Sequence, residues 1–196
     1  MQKINFIKTS IPESQYKQKY SLGNTIVYHI GTTFNNEQNT YECYECTVSA
    51  STFNEDEVKS AFSEFIAKIN AMQLKQAKAY KIAEIIAYDT SDKVNGFILN
   101  GLLVWLDKAT RVGLMNSTTI AKAAGQKTTT LWLGDVKLVV GCDKAIQLLS
   151  ALETYALECF NVTAAHKKAV SELKTIKEVE AFDVTADYPK QLEMKL

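Results

Sequence analysis

The feature that most constrains the fold is a long segment of helical character that begins at Asn54. Between Asn54 and Ser91 the sequence contains neither Gly nor Pro, the residues that most disfavour a helix interior. Asn54 can cap the first turn, and Glu57 three residues later suits a capping box. Apolar residues then recur at helical spacing, namely Val58, Phe62, Phe65, Ile66, Ile69 and Met72, followed by Ala79, Ile82, Ile85 and Ile86. The pattern predicts one long helix, or two consecutive helices, over residues 54–88.

The segment before this helix has the pattern of strands. Residues 25–30 and 41–48 are rich in Tyr, Val, Ile and Thr, and the polar turn 34–39 separates them. We therefore predict a β-hairpin. Because two strands alone are only marginally stable in water, we expect this hairpin to pack on something or to pair with another chain. Residues 1–22 are polar, with scattered tyrosines, and we interpret them as an extended or irregular arm.

Two further hairpins are predicted in the C-terminal part. The dipeptide Asn100-Gly101 lies between two short apolar runs, and Asn-Gly favours the type I′ turn that joins hairpin strands. The second hairpin crosses Gly134-Asp135.

Helices are predicted around these hairpins. Asp107 is a suitable cap for the first of them, and Gly125 for its end. Asp143 is a suitable cap for a second, strongly apolar helix, and a third is predicted from about Thr163 to Leu173. A short helix follows Thr175, which forms a capping box with Glu178.

The predicted fold class is therefore α+β. Residues 1–53 form an N-terminal arm and β-hairpin, and residues 54–88 form the connecting helix or helices. Residues 89–196 form a mainly helical C-terminal domain with two inserted β-hairpins.

Charge and composition exclude several partners. Lys and Arg together number 22, as do Asp and Glu, so the formal net charge is zero and no nucleic-acid partner is predicted. The N-terminus lacks a signal-peptide pattern, and the longest apolar run, residues 97–106, is too short to span a bilayer. We expect a protein made in the cytoplasm, with free thiols and no membrane partner. The neutral charge also gives little protection against self-association.

Cys43 and Cys46 form a C-x-x-C motif. A structural zinc site needs a second such pair or nearby histidines, and His29 and His166 are distant in sequence. A redox pair belongs at a helix N-terminus, whereas this motif lies in a predicted strand. Residues three apart on a strand also point to opposite faces. We therefore interpret both cysteines as buried strand residues and predict no metal and no cofactor.

A catalytic triad can be drawn from His166, Asp183 and either Cys159 or Cys142. A triad is defined by the geometry of its three side chains, and the presence of the three residue types in a sequence does not establish that geometry. His166 shares a helical face with apolar residues, so a packed, hydrogen-bonded histidine is the favoured interpretation.

The charged clusters also have structural explanations. Glu55-Asp56-Glu57 falls in the first turn of a helix, where the helix dipole favours acids. Asp107 and Arg111 stand four residues apart, which suits a surface ion pair. No catalytic residue is predicted, and the chain is not expected to be an enzyme.

Trp105, Trp132 and Phe97 lie on the predicted hairpins, so we expect them in the core. Any of them that is exposed would indicate a contact with another protein, because apolar patches on a surface usually have a partner.

A series of short motifs runs from Tyr88 to the C-terminus. They are Tyr88-Asp89-Thr90-Ser91, Val94-Asn95-Gly96-Phe97, Trp105-Leu106-Asp107-Lys108 with Thr110-Arg111, Leu131-Trp132, Cys142-Asp143-Lys144-Ala145, Leu152-Glu153-Thr154-Tyr155-Ala156, His166-Lys167-Lys168 and residues 183–189. In these motifs the chain resembles an uncharacterised domain family of tailed phages and Bacteroidales prophages, domain of unknown function 4376. The resemblance implies phage provenance and a setting among virion, tail or fibre-assembly proteins. It supplies no catalytic residues.

The expected function is that of a non-enzymatic structural or accessory protein of a tailed-phage virion, in the tail, a fibre or a connector. Such a protein is made in the host cytoplasm, becomes virion-associated and contacts other phage structural proteins. The N-terminal hairpin and arm suggest strand addition or wrapping onto a neighbour. One alternative is a tail-fibre assembly chaperone, and another is an enzyme that degrades cell wall or polysaccharide.

Overall fold

The computed structural model describes residues 3–195. The protein is α+β, as predicted, with 47% of the chain in helices and 26% in strands. It divides into two compact units, one up to Gln73 and one from Leu74 onward. None of the helices in the described residues combines the length and the apolar character needed to cross a membrane.

The first unit contains a four-stranded antiparallel sheet. Its strands are β1 (Ile7–Pro12), β2 (Lys19–Leu22), β3 (Thr25–Asn35) and β4 (Thr40–Ser49), in the spatial order β1-β4-β3-β2. A 3-10 turn at Glu13–Gln15 follows β1. Strands β3 and β4 form the predicted hairpin.

The N-terminal segment belongs to this sheet. β1 pairs with β4 and β2 pairs with β3, so the hairpin finds both of its neighbours in its own chain. The prediction of an extended or irregular arm over residues 1–22 was therefore wrong for the described residues, while residues 1 and 2 lie outside them. The two strands are at the sheet edges and leave most of their side chains in solvent, so they lack the apolar alternation that identifies a half-buried strand.

One face of the sheet packs on helix α1 (Glu55–Asp89). The buried cluster contains Tyr28, Cys46 and Val48 from the sheet and Val58 from α1, with Phe62 and Phe65 packed against it. The predicted capping box is present, because the Asn54 amide donates to the Glu57 carboxylate at 2.8 Å and the Glu57 amide donates to Asn54 Oδ1 at 2.9 Å. Val58, Phe62 and Phe65 were predicted on the buried face of this helix and are packed there, whereas Met72, predicted on the same face, is 71% exposed.

Helix α1 is a single element of 35 residues. The boundary between the two compact units falls inside it, between Gln73 and Leu74. This division differs from the three predicted segments 1–53, 54–88 and 89–196, which placed the boundaries at the helix ends. Helical periodicity shows where a helix begins and ends but not which part of it packs with which neighbour.

The second unit combines helices with two hairpins. After the end of α1 come β5 (Phe97–Leu99), β6 (Leu102–Val104), α2 (Lys108–Ala123), β7 (Thr128–Leu133), β8 (Val136–Gly141), α3 (Cys142–Glu172), α4 (Ile176–Glu180) and β9 (Glu193–Met194). The predicted hairpins β5–β6 and β7–β8 both form. Asn100 and Gly101 have φ angles of 50° and 84°, as a type I′ turn requires. β9, which the sequence did not predict, pairs in parallel with β5.

The predictions for α3 need two corrections. α3 begins at Cys142 with Gly141 at the N-cap and no side-chain cap, so Asp143 lies inside the first turn and pairs with Lys122 instead. The separate helix predicted from Thr163 to Leu173 is the second half of α3. Neither Gly nor Pro occurs between Cys142 and Glu172, so nothing in the sequence ends the helix earlier.

The core of the second unit lies between the two hairpins and α3. Its largest fully buried side chains come from β5 (Phe97), from β7 (Leu131 and Leu133) and from α3 (Leu149 and Leu152). This packing places α3 beside the connection between β6 and α2, where the candidate site is found.

Gly31 provides a test of the packing in the first unit. It lies at an irregularity in β3 with φ of +65°, and a Cβ atom there would be 2.6 Å from Cζ of Phe62. Gly23 has φ of +60° but nothing within 4 Å of its Cβ position. We expect Gly23→Ala to lower the free energy of unfolding by about 1–2 kcal/mol through backbone strain. Gly31→Ala should cost a further ~1–3 kcal/mol through overpacking against Phe62. Urea denaturation of both variants measures the difference, and equal losses would contradict the close approach of Phe62.

Candidate functional site

A cleft of about 400 Å³ in the second unit is the candidate site. This volume is in the range of pockets that hold small ligands or a few side chains. We call it the Arg111 cleft. It is lined by Asp89, Val94 and Asn95, by Trp105, Asp107, Lys108 and Arg111, and by Glu153, Ala156, Leu157, Cys159 and Phe160 of α3.

The cap of α2 sets the geometry of the cleft. Asp107 accepts hydrogen bonds from the Thr110 amide at 2.9 Å and from the Thr110 hydroxyl at 2.6 Å. These bonds, first of all the one from the Thr110 side chain, hold the pKa of Asp107 below its usual value, so its carboxylate is charged near neutral pH. Because the cap fixes the first turn of α2, it also fixes the position of Arg111 one turn later.

Arg111 is buried, with only 6% of its surface exposed. Its Nε donates to Glu153 Oε2 at 2.8 Å, and Nη1 donates to the Leu106 carbonyl at 2.7 Å. The guanidinium carbon is 5.3 Å from the centre of the Trp105 ring. Nη2 makes no hydrogen bond within residues 3–195 and keeps some contact with solvent. Arg111, which lines the cleft, thus keeps one guanidinium nitrogen, Nη2, without a hydrogen-bond partner in the described residues.

The predicted surface ion pair between Asp107 and Arg111 was wrong. Asp107 is occupied by the helix cap, and the Arg111 side chain turns to Glu153 on α3 instead. A second cavity of about 140 Å³ is also lined by Arg111 and Glu153, together with Val112, Met115, Asn116 and Leu149. The ion pair of Arg111 and Glu153 therefore borders both cavities, and its carboxylate comes from α3 rather than from α2.

The rim of the cleft is partly acidic and partly apolar. Asp89 accepts a hydrogen bond from the Thr163 hydroxyl at 2.6 Å. Lys108 is exposed. Leu157 and Phe160, three residues apart on α3, line the cleft although each is more than half exposed.

The side chains that line the cleft offer hydrogen bonds, charge and apolar contact. Across the described residues no three His, Cys, Asp or Glu side chains come together as metal ligands would. Cys159 also lines the cleft, but burial raises the pKa of its thiol, so the nucleophilic thiolate is disfavoured.

Cys43 and Cys46 are buried strand residues, as predicted. Cys46 belongs to the cluster that faces α1, and the alternation along β4 puts Cys43 on the opposite face. Burial raises the pKa of both thiols, that of Cys46 to about 11. The pair has neither the common face nor the thiolate character that metal or redox chemistry needs.

His166 is packed, as predicted, between Phe182 and Tyr188, with ring centres 5.3 and 5.5 Å away. The expected hydrogen bond is missing at Nδ1, which has no partner among the described residues. Asp183 accepts from the Thr185 amide and hydroxyl, and Cys142 donates to the Gln126 carbonyl. No hydrogen bond joins His166 to Asp183, Cys142 or Cys159 among the described residues.

His29 was not predicted to have a role, and the structure gives it two partners. Its Nδ1 contacts the Lys17 carbonyl, and its Nε2 is 3.2 Å from Oε2 of Glu45. The contacts join the segment before β2 to β3 and β4, and no local sequence pattern announces them.

The structure also places the acidic cluster at the start of α1 and the aromatic residues of the hairpins. Glu55 pairs with Lys19 at 2.8 Å and with Lys59 at 2.9 Å. The hydrogen bonds from these lysines, Lys19 first, lower the pKa of Glu55 to about 2.

Phe97 is fully buried, as predicted, whereas Trp132 is more than half exposed. The prediction that Trp132 lies in the core was wrong, because it points away from the core on the outer face of β7.

The family model described as Domain of unknown function (DUF4376) matches residues 76–186, which is more than half of the chain. This range contains every residue that lines the Arg111 cleft. The suspected resemblance is thereby confirmed. No curated protein and no solved structure matches the chain.

A double-mutant cycle tests the partner of Arg111. We expect Arg111→Met and Glu153→Gln to be coupled by about 1–2 kcal/mol in the free energy of unfolding, since they share a charge-assisted hydrogen bond. The matched cycle of Arg111→Met with Asp107→Asn should show a coupling below about 0.5 kcal/mol, and Asn preserves the cap. Chemical denaturation measures all five variants. A larger coupling with Asp107 than with Glu153 would contradict the geometry.

The raised pKa of Cys46 predicts that the free energy of unfolding decreases at alkaline pH. Its pKa rises from an ordinary 9.0 to about 11 on folding. Because the folded-state value is the higher one, its contribution is complete below pH 9 and is lost as the pH rises through about 11. The stability of the protein relative to Cys46→Val should therefore be constant below pH 9 and fall by up to about 3 kcal/mol by pH 11. Comparing the two proteins cancels the titration of other groups. A constant difference up to pH 11 would show that the thiol is not desolvated.

Proposed function

We propose that this chain, which belongs to the DUF4376 family, is a non-enzymatic structural or accessory protein of a tailed-phage particle and works through contacts with other proteins. The phage setting rests on the resemblance carried by the motifs from Tyr88 onward. The contact role rests on the surface of the second unit.

The observation that carries this proposal is the apolar surface that the second unit leaves in solvent. Large apolar side chains more than half exposed include Leu102, Leu103, Ile120, Trp132, Val139, Leu157 and Phe160. Single exposed apolar residues are ordinary on proteins. Here, however, two pairs are spatial neighbours. Leu157 and Phe160 lie one turn apart on α3, and Trp132 and Val139 are diagonal neighbours on the outer face of β7–β8. Grouped apolar side chains favour a protein partner.

The first unit offers less support for docking. The sequence suggested strand addition by an unpaired hairpin, but β1 and β2 already flank that hairpin. Lys8 lies on β1 and Lys19 on β2, and charged residues on edge strands discourage further pairing. We therefore assign the contact role to the second unit.

A tail-fibre assembly chaperone is the second candidate, because exposed apolar surface also suits transient binding. The two candidates differ in where the protein is found when assembly is complete. An enzyme acting on cell wall or polysaccharide is less well supported. The carboxylates of the Arg111 cleft are held by a helix cap, by Thr163 and by Arg111.

Quantitative mass spectrometry tests the proposal. Particles purified from a lysed culture through a density gradient and a salt wash should contain the chain at a constant ratio to the major capsid protein. An abundant host cytoplasmic protein, measured in the same fractions, controls for carry-over. If the chain is abundant in the lysate but no more enriched in particles than the host protein, the structural role is wrong. Release of soluble fragments from cell walls or polysaccharide by the purified chain would contradict the non-enzymatic assignment.

A further inference from the structure

We propose that the Arg111 cleft is the docking site for a short segment of a partner protein that presents a Lys or Arg side chain beside an apolar one. This inference rests on the proposed function, because it names the chemistry of the partner that the contact role requires. Three properties of the cleft carry it.

The first property is the unused donor of Arg111. The side chain is almost completely buried, and two of its nitrogens are occupied by Glu153 and by the Leu106 carbonyl. Nη2 has no hydrogen-bond partner within residues 3–195. A guanidinium held on two sides has little freedom left to lose, so a third hydrogen bond comes at low entropic cost. A backbone carbonyl of an extended segment is a suitable acceptor.

The second property is the balance of charge. Asp89, Asp107 and Glu153 line the cleft, against Lys108 and Arg111. The Glu153 carboxylate compensates the Arg111 guanidinium, which leaves two carboxylates and one exposed lysine at the rim. The remaining oxygen of Glu153, Oε1, makes no hydrogen bond in the described part of the chain. The rim therefore favours a cation over an anion, and the side chain of Lys or Arg supplies one.

The third property is the apolar surface beside these charges. Trp105 stacks on the guanidinium, and Leu157 and Phe160 stand exposed on α3 at the same cleft. Trp and Arg are the residues that most often carry the binding energy of protein interfaces, especially where they are rigidly held. An apolar side chain next to the cationic one would cover Leu157 and Phe160. The volume of about 400 Å³ suits two or three residues of an extended segment.

Tryptophan fluorescence gives a direct test, because the chain has only two tryptophans. Replacing the exposed Trp132 by Phe leaves Trp105 as the sole reporter, and Trp105 lies in the cleft. The full-length Trp132→Phe protein is titrated with three probes: acetyl-Leu-Arg-Leu-amide, acetyl-Leu-Glu-Leu-amide and the neutral sugar maltotriose. We expect a saturable change in Trp105 emission with the arginine peptide. The glutamate peptide should bind about fivefold or more weakly, and the arginine peptide should bind less tightly as NaCl is raised.

Two isosteric substitutions locate the binding. Asp89→Asn and Asp107→Asn in the same protein remove rim charges but keep the acceptor for Thr163 and the helix cap. Together they should weaken binding of the arginine peptide about three- to tenfold. Asp135→Asn is the matched control, because Asp135 is exposed in the β7–β8 turn and does not line the cleft. It should leave the affinity unchanged. If the double variant fails to fold, the salt dependence and the comparison of the two peptides in the Trp132→Phe protein still test whether the cleft prefers a cationic segment.

Three results would overturn the proposal: no saturable response to the arginine peptide, equal affinities for the two peptides, or a response to maltotriose alone. The last would assign the cleft to a carbohydrate. These failures are distinct from failure of the proposed function. A chain that is present in purified particles but binds no cationic peptide would retain its contact role and place the contact elsewhere on the surface.

Discussion

The second unit depends on how it neutralises one buried guanidinium. Transferring a charge from water into a protein interior costs several kcal/mol unless it is paired and hydrogen-bonded. Arg111 meets this requirement with a carboxylate from α3 and a backbone carbonyl from the segment after β6. One side chain thereby ties together α2, α3 and the connection between hairpin and helix. The adjacent cleft is a result of this geometry, since Trp105 and the cap residue Asp107 are positioned by the same connection.

The two units manage their polar groups in different ways. In the first unit, polar and charged residues lie on the edge strands β1 and β2. His29 on β3 contacts the Lys17 carbonyl before β2 and the Glu45 side chain on β4. In the second, ionised groups sit next to exposed aromatic and aliphatic side chains. The second arrangement places charge and apolar surface side by side at one cleft, which is why we propose the contact role for that part of the chain.

Features that depend on a few neighbouring residues could be predicted from the sequence. Features that depend on contacts between distant residues could not. The capping boxes of Asn54 with Glu57 and of Thr175 with Glu178 were predictable because each is complete within four residues. The Asn100-Gly101 turn was predictable for the same reason. The partner of Arg111 was not, because Glu153 is far away in sequence and an i,i+4 pair with Asp107 looked sufficient. The edge strands β1 and β2 and the cleft itself depend on tertiary pairing. Their residues therefore look like ordinary polar segments in the sequence.

The parallel pairing of β9 with β5 has a consequence for biosynthesis. Ile98 and Asn100 donate their amides to the carbonyls of Leu192 and Met194, residues that the ribosome adds long after it has made the hairpin. Until then one edge of β5 is open, and the core lacks the contacts of Leu192 and Met194. The β5 edge is therefore completed only after Leu192 and Met194 have been added to the chain. During that interval the nascent hairpin is the part of the chain most in need of protection from mispairing with other nascent chains.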